Sequence, residues 1–257
     1  MKDIRDIIEG WEFVPNRVNV RKIIGDDGRP KIQMRLDLGL IQMEETGRPD
    51  GKRPHGRESL LDYYLDLLQE HKAKYKWDAE FRLDREDCAA LNGESIQFYQ
   101  RRICFFQLGE YKAMARDAAH NLRVMDLIRD YAEEEEDRAA SERFRPFVLM
   151  HWTQARTLQK LKRKEYDEAL ARIEEGVEEI RAFLEQHHRS EMAEDPGEIQ
   201  FLKSWSEEIQ RRKPLSRRER LEKQLDAAVA REHYEQAVLL RDRLKHYNEN
   251  NRGGTHE

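Results

Sequence analysis

The feature that most constrains this chain is a pair of short apolar stripes at helical spacing near its C-terminus, in the segment LEKQLDAAVAREHYEQAVLLRDRL. Leu221, Leu225 and Ala228 are spaced four and three residues apart, as on one face of a helix. After a polar break, a second stripe repeats at three, four and three residues and comprises Ala237, Leu240, Leu244 and Tyr247. Because the connector is short, we expect an antiparallel helical hairpin over residues 221–247. Two helices of about a dozen residues bury too little to stand alone, so pairing with a second hairpin is predicted.

The same segment resembles the UVR motif of the excision-repair proteins UvrB and UvrC. The resemblance covers roughly a tenth of the chain, and a generic amphipathic hairpin is the alternative. The family often has an aromatic residue followed by Glu where Tyr234 and Glu235 stand, and the Leu-Arg-Asp run is the most specific match. The matching residues are Leu221, Leu225, Ala228, Tyr234, Glu235, Ala237, Leu240, Arg241, Asp242 and Leu244.

In that family the motif binds other proteins and carries no chemistry of its own. The resemblance therefore implies that the ten matching residues bind a protein, either another UVR-type hairpin or a second copy in a homodimer. It also implies a bacterial source. Docking is expected through Leu225, Ala228, Tyr234, Ala237, Leu240 and Leu244, and Leu240→Asp is expected to abolish it.

UVR motifs also occur in activators of a protein arginine kinase and in Clp-type unfoldases. Two alternatives to an adaptor therefore remain open: an accessory factor in nucleotide excision repair, and a regulator of a protein kinase or Clp-type protease. The kinase activators carry paired Cys-x-x-Cys zinc sites upstream of the motif. This chain has only Cys88 and Cys104, far apart and each in an apolar helical stretch, so we predict buried free thiols.

The composition favours exposed amphipathic helices over a deep globular core, because 38% of the residues are hydrophobic and 39% are charged. A formal net charge of -5 gives the whole chain no polyanion-binding signature. No apolar run approaches the roughly 20 residues that span a bilayer. The first residues, MKDIRDIIEGWEF, carry acids where a signal peptide would be apolar. We therefore expect a cytoplasmic protein without membrane contact.

Residues 1–56 differ from the rest of the chain. Strand-like runs at Val18–Ile24 and Lys31–Leu38 flank an Asp-Gly step and predict a β-hairpin. The alternating apolar positions of its second strand are Ile32, Met34, Leu36 and Leu38. The stretch Gly39–Gly56 follows, and its second part, dense in Gly, Pro and Arg, predicts a loop that is either a solvated connector or an anion-binding lip. The basic residues of that lip would be Arg48, Lys52, Arg53 and His55.

Residues 57–210 are predicted to form an α-helical, repeat-like domain. One helix is expected from a cap at Asp84 to Phe106 and to end at Gly109, and Pro146 suits the first turn of another. The predicted stripe of the first of these helices is Ile96, Tyr99, Ile103 and Phe106.

Three turns in the chain look alike: GEYKAMA, KEYDEAL and EHYEQAV. Each has a polar step, a Tyr and a small or apolar residue three positions on, and the first two resemble the turn of tetratricopeptide repeats. They are separated by about 55 and then about 68 residues, against roughly 34 in a true array. A generic helical bundle therefore remains the alternative for this region.

Residues 211–220 predict a basic linker into the hairpin, and residues 248–257 a disordered tail. The linker is a possible nucleic-acid contact, but it lacks interleaved aromatics for base stacking and is diluted by acids. A solvated linker or a contact with an acidic protein is favoured over nucleic acid. Its basic residues are Arg211, Arg212, Lys213, Arg217, Arg218 and Arg220.

The sequence contains no motif for catalysis. It has no phosphate-binding glycine loop, no nucleophile elbow and no His-Glu-x-x-His zinc motif. Adjacent His187 and His188, with Glu191, are a poor metal site because neighbouring helical residues point about 100° apart. The prediction is a mainly α, non-enzymatic adaptor without metal or cofactor, with a small N-terminal β-hairpin and a C-terminal UVR hairpin.

Overall fold

The computed structural model describes residues 3–78, 80–186, 195–215 and 217–252, with side chains through Tyr247. The chain divides into two compact units, Met1–Glu207 and Glu208–Glu257. The first unit therefore contains the predicted β region and nearly all of the predicted helical domain. No helix in the described ranges is both long and apolar enough to cross a membrane.

The N-terminal part of the first unit holds the short helix α1, Arg5–Ile8, and a three-stranded antiparallel sheet. The strands are β1, Asn19–Ile24; β2, Pro30–Leu36; and β3, Gly39–Glu44. The predicted β-hairpin is confirmed as β1 and β2. Strand β3 is not among the predicted elements; it precedes the predicted loop, and Leu36 of β2 pairs directly with Gly39 of β3 across a two-residue turn.

One face of the sheet packs on the helices. Ile32 and Met43 are buried in a cluster with Phe105 and Met114, and Met34 packs against it. The predicted alternation does not continue, because Leu36 and Leu38 are exposed at the end of the strand.

The remainder of the first unit is helical. Its helices are α2, Leu60–Tyr75; α3, Arg85–Gln107; α4, Tyr111–Tyr131; α5, Glu135–Glu142; α6, Arg145–Lys162; and α7, Tyr166–Gln186. Helix α8, Gly197–Arg212, contains the division between the two units. The second unit holds α9, Arg217–Ala230, and α10, Tyr234–Arg252. Helix α10 thus includes residues 248–252 of the predicted disordered tail, and residues 253–257 lie outside the described part of the chain.

Local capping signals are confirmed at three helix ends. Asp84 caps α3 and forms a reciprocal capping box with Asp87. Gly109 follows the end of α3 with a φ of 70°, a conformation that glycine adopts without steric cost. Pro146 lies in the first turn of α6, where its missing N–H is not needed.

The three turns that look alike in sequence share one backbone geometry. Gly109, Lys164 and Glu232 all have left-handed φ angles, of 70°, 62° and 59°. In each turn that residue donates its N–H to the carbonyl three positions back, and the next residue donates to the carbonyl five positions back, at 2.9–3.0 Å. This is the Schellman motif. It closes the α3/α4, α6/α7 and α9/α10 hairpins, while a tetratricopeptide relationship remains a prediction.

The predicted stripe of α3 is wrong. Ile96 is 59% exposed and Phe106 is 40% exposed, while the helix buries a different face that includes Cys88, Leu91 and Phe105. That face also buries charges. The Arg101 guanidinium contacts both carboxylate oxygens of Asp117 at 2.7 and 2.9 Å, with both side chains fully buried. Arg101 Nη1 also donates to the carbonyls of Glu44 and Gly47, which ties the end of β3 to the α3/α4 hairpin.

Candidate functional site

The α9/α10 hairpin is held together by a small apolar core. Ala228 of α9 and Ala237 and Leu240 of α10 are buried, and Leu221 and Leu225 pack against them. The two predicted stripes therefore face each other. Two of the three buried residues are alanines, whose small side chains let the helices approach closely.

The far end of the hairpin is closed by half-buried residues. Leu244 and Tyr247 are both partly covered. The guanidinium of Arg217 lies 6.0 Å from the centroid of the Tyr247 ring, which is within the range of a cation–π contact. This contact joins the start of α9 to the end of the described side chains of α10.

The ten residues that carry the resemblance therefore have different environments within one chain. Ala228, Ala237 and Leu240 form the hairpin core, Leu221 and Leu225 pack against it, and Leu244 is partly buried. The exposed members are Tyr234, Glu235, Arg241 and Asp242. Arg241 Nη2 contacts Asp242 Oδ1 at 2.8 Å. Because these two residues are neighbours on the same helix, this ion pair does not fix the register of α9 against α10.

One side of the hairpin exposes a group of large apolar residues. Val229, Tyr234 and Val238 are 51%, 65% and 46% exposed. They line a shallow groove of about 490 Å³ together with Leu225, Asp226, Ala230, Ala237 and Arg241. We call this set of eight residues the hairpin groove. Leu239 is also exposed but does not line it.

Sequence reasoning did not find Val229 and Val238. Val229 directly follows Ala228 and Val238 directly follows Ala237, so each valine falls outside the apolar stripe of its helix. The available signal was that they are large apolar residues at positions where a solvated helix face usually has polar ones.

The predicted basic linker is divided between two helices. Arg211 and Arg212 are in the last turn of α8, Lys213 follows it, and Arg217, Arg218 and Arg220 begin α9. Arg212 pairs with Glu208 at 2.6 Å and Arg218 with Glu222 at 2.7 Å. Arg212 and Arg218 are therefore already engaged by carboxylates.

The predicted anion-binding lip is also largely neutralised. Arg48 contacts Asp50 at 3.2 Å and Arg53 contacts Glu58 at 2.8 Å. His55 stacks on Tyr63 with ring centroids 3.9 Å apart. These contacts favour a structural connector over an anion site.

Within the described ranges, neither the thiols nor the possible metal ligands form a reactive site. Cys88 and Cys104 are confirmed as buried free cysteines, and burial raises their pKa to about 11 and about 12. The described ranges contain no cluster of three or more His, Cys, Asp or Glu residues able to hold a metal. His187, His188 and Glu191 lie outside them.

Comparison with known proteins agrees with the hairpin geometry. Residues 216–249 match the family model described as the UvrB/uvrC motif. Neither the curated proteins nor the solved structures include a match to the chain. The matched range contains all of α9 and most of α10, including the whole hairpin groove. The C-terminal hairpin of this chain is a UVR motif, a protein–protein interaction module.

Proposed function

We propose that the protein is a non-enzymatic adaptor whose UVR hairpin docks on another UVR-type hairpin, either from a different protein or from a second copy of this chain. The hairpin groove is the contact surface in this proposal. Ala228 and Leu240, which match the motif and are buried, build the hairpin core beneath that surface. Ala237 belongs to the core and also lines the groove.

The observation that carries the proposal is the imbalance between the core of the hairpin and its surface. The core comprises three buried residues, two of them alanines. Val229, Tyr234 and Val238 leave about half or more of their side chains in water. Contiguous exposed apolar groups of this kind mark interaction sites in soluble proteins. A second hairpin laid on the groove would cover them and complete a four-helix bundle.

The charges at the edges of the groove support self-complementary docking. Asp226 stands on the α9 edge and Arg241 on the α10 edge. A second copy related by a two-fold axis that runs through the groove parallel to the helices would place α9 of one hairpin over α10 of the other. Asp226 of each copy then faces Arg241 of its partner. A UVR hairpin with the same charge arrangement meets the groove equally well.

The DNA-binding alternative has weaker support. The basic residues at positions 211–220 are divided between two helices, and Arg212 and Arg218 already hold carboxylates. A phosphate contact would have to break these pairs. Binding of duplex DNA that survives physiological salt would revive this alternative.

Light scattering coupled to size-exclusion chromatography tests the proposal on the full chain. Val238→Asp places a charge in the groove without touching the hairpin core, so we expect loss of the dimer with an unchanged helical circular dichroism signal. Leu239→Asp is the matched control, because the neighbouring Leu239 is exposed outside the groove. It should remain dimeric.

Leu240→Asp is a poor test of docking, because Leu240 is buried within a single hairpin and we expect a charge at this position to unfold the module. A dimer of unchanged affinity in Val238→Asp would exclude the groove as the interface. If the unmodified chain is a monomer, self-pairing is excluded. The same two variants then test binding to a purified UvrB-type hairpin.

A further inference from the structure

The first unit contains a second groove, of about 790 Å³, where the start of α4 meets the end of α6. We call it the basic groove. Its lining residues are Gly109, Glu110, Tyr111, Lys112, Ala113, Ala115, Arg116, Ala119, Gln159, Lys162 and Arg163. The turn at Gly109 that closes the α3/α4 hairpin forms one of its walls.

The floor of the basic groove is apolar and shallow. Three alanines of α4 line it, at positions 113, 115 and 119, beside the half-buried ring of Tyr111. Small side chains leave room for the side chains of a docked element to reach the backbone of α4. The floor therefore suits an apolar helix face and offers no exposed aromatic platform of the kind that stacks on nucleic-acid bases.

The rim of the groove is positively charged. Lys112, Lys162 and Arg163 are exposed, and within the described part of the chain none of the three forms an ion pair closer than 4.0 Å. Arg116 Nε contacts Asp117 at 3.0 Å and its Nη2 donates to the Glu45 carbonyl. Among the described residues, three of the four rim cations therefore have no ion-pair partner within 4.0 Å, in a chain with a formal net charge of -5.

The only acid among the lining residues, Glu110, is neutralised by a lysine, and its side chain does not cap α4. Lys22 Nζ contacts Glu110 Oε1 at 2.7 Å. Glu110 is the N-cap residue of α4 and makes no side-chain cap hydrogen bond. The first-turn amides of α4 thus lack the carboxylate that a capping residue usually supplies. The positive end of the helix dipole adds to the potential of the rim.

We propose that the basic groove docks an acidic amphipathic helix of a partner protein, with small apolar residues against the alanine floor and carboxylates against the rim and the first turn of α4. The groove would give the adaptor its second binding surface. The proposal does not depend on pairing of the UVR hairpin, because every residue that carries it belongs to the first unit.

Fluorescence anisotropy with the full-length protein tests this inference. The probe is a labelled amphipathic peptide of about five helical turns, with glutamates on one face and alanine and leucine on the other. The comparison probes are the same peptide with every Glu replaced by Gln and a single-stranded DNA of similar charge. We expect binding of the glutamate peptide that weakens as salt increases.

Two double variants with the same change in net charge locate the site. Lys112→Glu with Lys162→Glu reverses the rim and should raise the Kd of the glutamate peptide by about tenfold or more. Lys52→Glu with Lys74→Glu changes exposed residues that do not line the groove, and should change the Kd by less than about twofold. Thermal melts confirm that all variants are folded.

Three results would overturn the inference: no binding of the glutamate peptide, equal binding of its glutamine counterpart, or equal sensitivity of peptide affinity to both double variants. DNA binding as tight as peptide binding, and lost on rim reversal, would assign the groove to nucleic acid instead. Val238→Asp should leave peptide binding unchanged, so failure of the hairpin interface and failure of this groove are distinguishable.

Discussion

The α3/α4 hairpin and the α9/α10 hairpin are closed by turns with the same hydrogen bonds, yet they bury very different interiors. The first encloses Phe98, Phe105 and Met114 together with a fully buried ion pair. The second encloses three small or medium residues and leaves larger ones in water. The turn therefore determines that two helices lie antiparallel. The residues along the helices determine whether the pair buries its large apolar side chains within one chain.

The largest expected effect concerns the buried charges of the α3/α4 hairpin. Asp117→Asn leaves the Arg101 guanidinium buried without a counter-charge, so the free energy of unfolding should fall by about 3–5 kcal/mol. Urea denaturation followed by circular dichroism measures this. Asp130→Asn removes an exposed partner of Arg129 and should cost less than about 1 kcal/mol. If Asp117→Asn and Asp130→Asn lowered the free energy of unfolding equally, burial of the ion pair would not explain its contribution to stability.

A second prediction concerns Glu94, which joins α2 to the α3/α4 hairpin. Its carboxylate is fully buried and accepts the N–H groups of Leu60 and Leu61 at 2.7 and 3.2 Å, with His120 Nε2 at 3.2 Å. Burial raises the pKa of this carboxyl, but the hydrogen bonds from His120 and the two amides outweigh it and hold the pKa below the ordinary 4.5. Glu94→Gln should cost about 1.5–3 kcal/mol at pH 7.

The sign of the pH dependence follows from that lowered pKa. The contribution of the Glu94 carboxylate is complete above pH 4.5, and it is lost as the pH falls through the lower value of the folded state. The stability difference between the unmodified chain and Glu94→Gln should therefore shrink in acid. Urea unfolding curves at neutral pH and at several values below 4.5 measure it. If the stability difference between the unmodified chain and Glu94→Gln did not change with pH, the charge of the Glu94 carboxylate would not be the source of its stabilising effect.

The smallest expected effects concern the turns themselves. Lys164 and Glu232 adopt left-handed conformations that cost a residue with a side chain about 1–2 kcal/mol. Glu232→Gly should therefore slow amide hydrogen exchange in α9 and α10 by about fivefold, and Lys164→Gly should stabilise α6/α7 similarly. Gly109→Ala should destabilise α3/α4 by about 1 kcal/mol. Destabilisation by Gly109→Ala together with stabilisation by Glu232→Gly would confirm that the two turns share one geometry. A change of stability in the same direction for both variants would contradict it.

The sequence predicts features that depend on residues close together along the chain. The Asp84 cap, the Gly109 stop and the two stripes of the UVR hairpin rest on spacings of three or four residues, and each is found in the structure. The stripe of α3 could not be predicted in this way. Periodicity assigns Arg101 and Glu94 to solvent, whereas their partners Asp117 and Leu60 are brought to them only by the folded chain.

The hairpin groove illustrates the same limit within a single motif. The pattern identifies the residues that hold α9 on α10, but it does not separate them from the residues left for a partner. That separation depends on the rotation of each helix about its axis. Val229 and Val238 become a surface only once Ala228 and Ala237 are placed in the core.

The two buried cysteines give this protein a reporter of its own motions. Both are in α3 of the first unit, and the chain contains no other cysteine. A thiol reagent attacks the thiolate, and buried thiols with a raised pKa are inert until the structure opens. The rate of thiol labelling in the unmodified chain therefore reports how often the first unit opens around α3. No thiol in the hairpin contributes to that rate, so an effect of partner docking on labelling would reveal communication between the two units without any engineered probe.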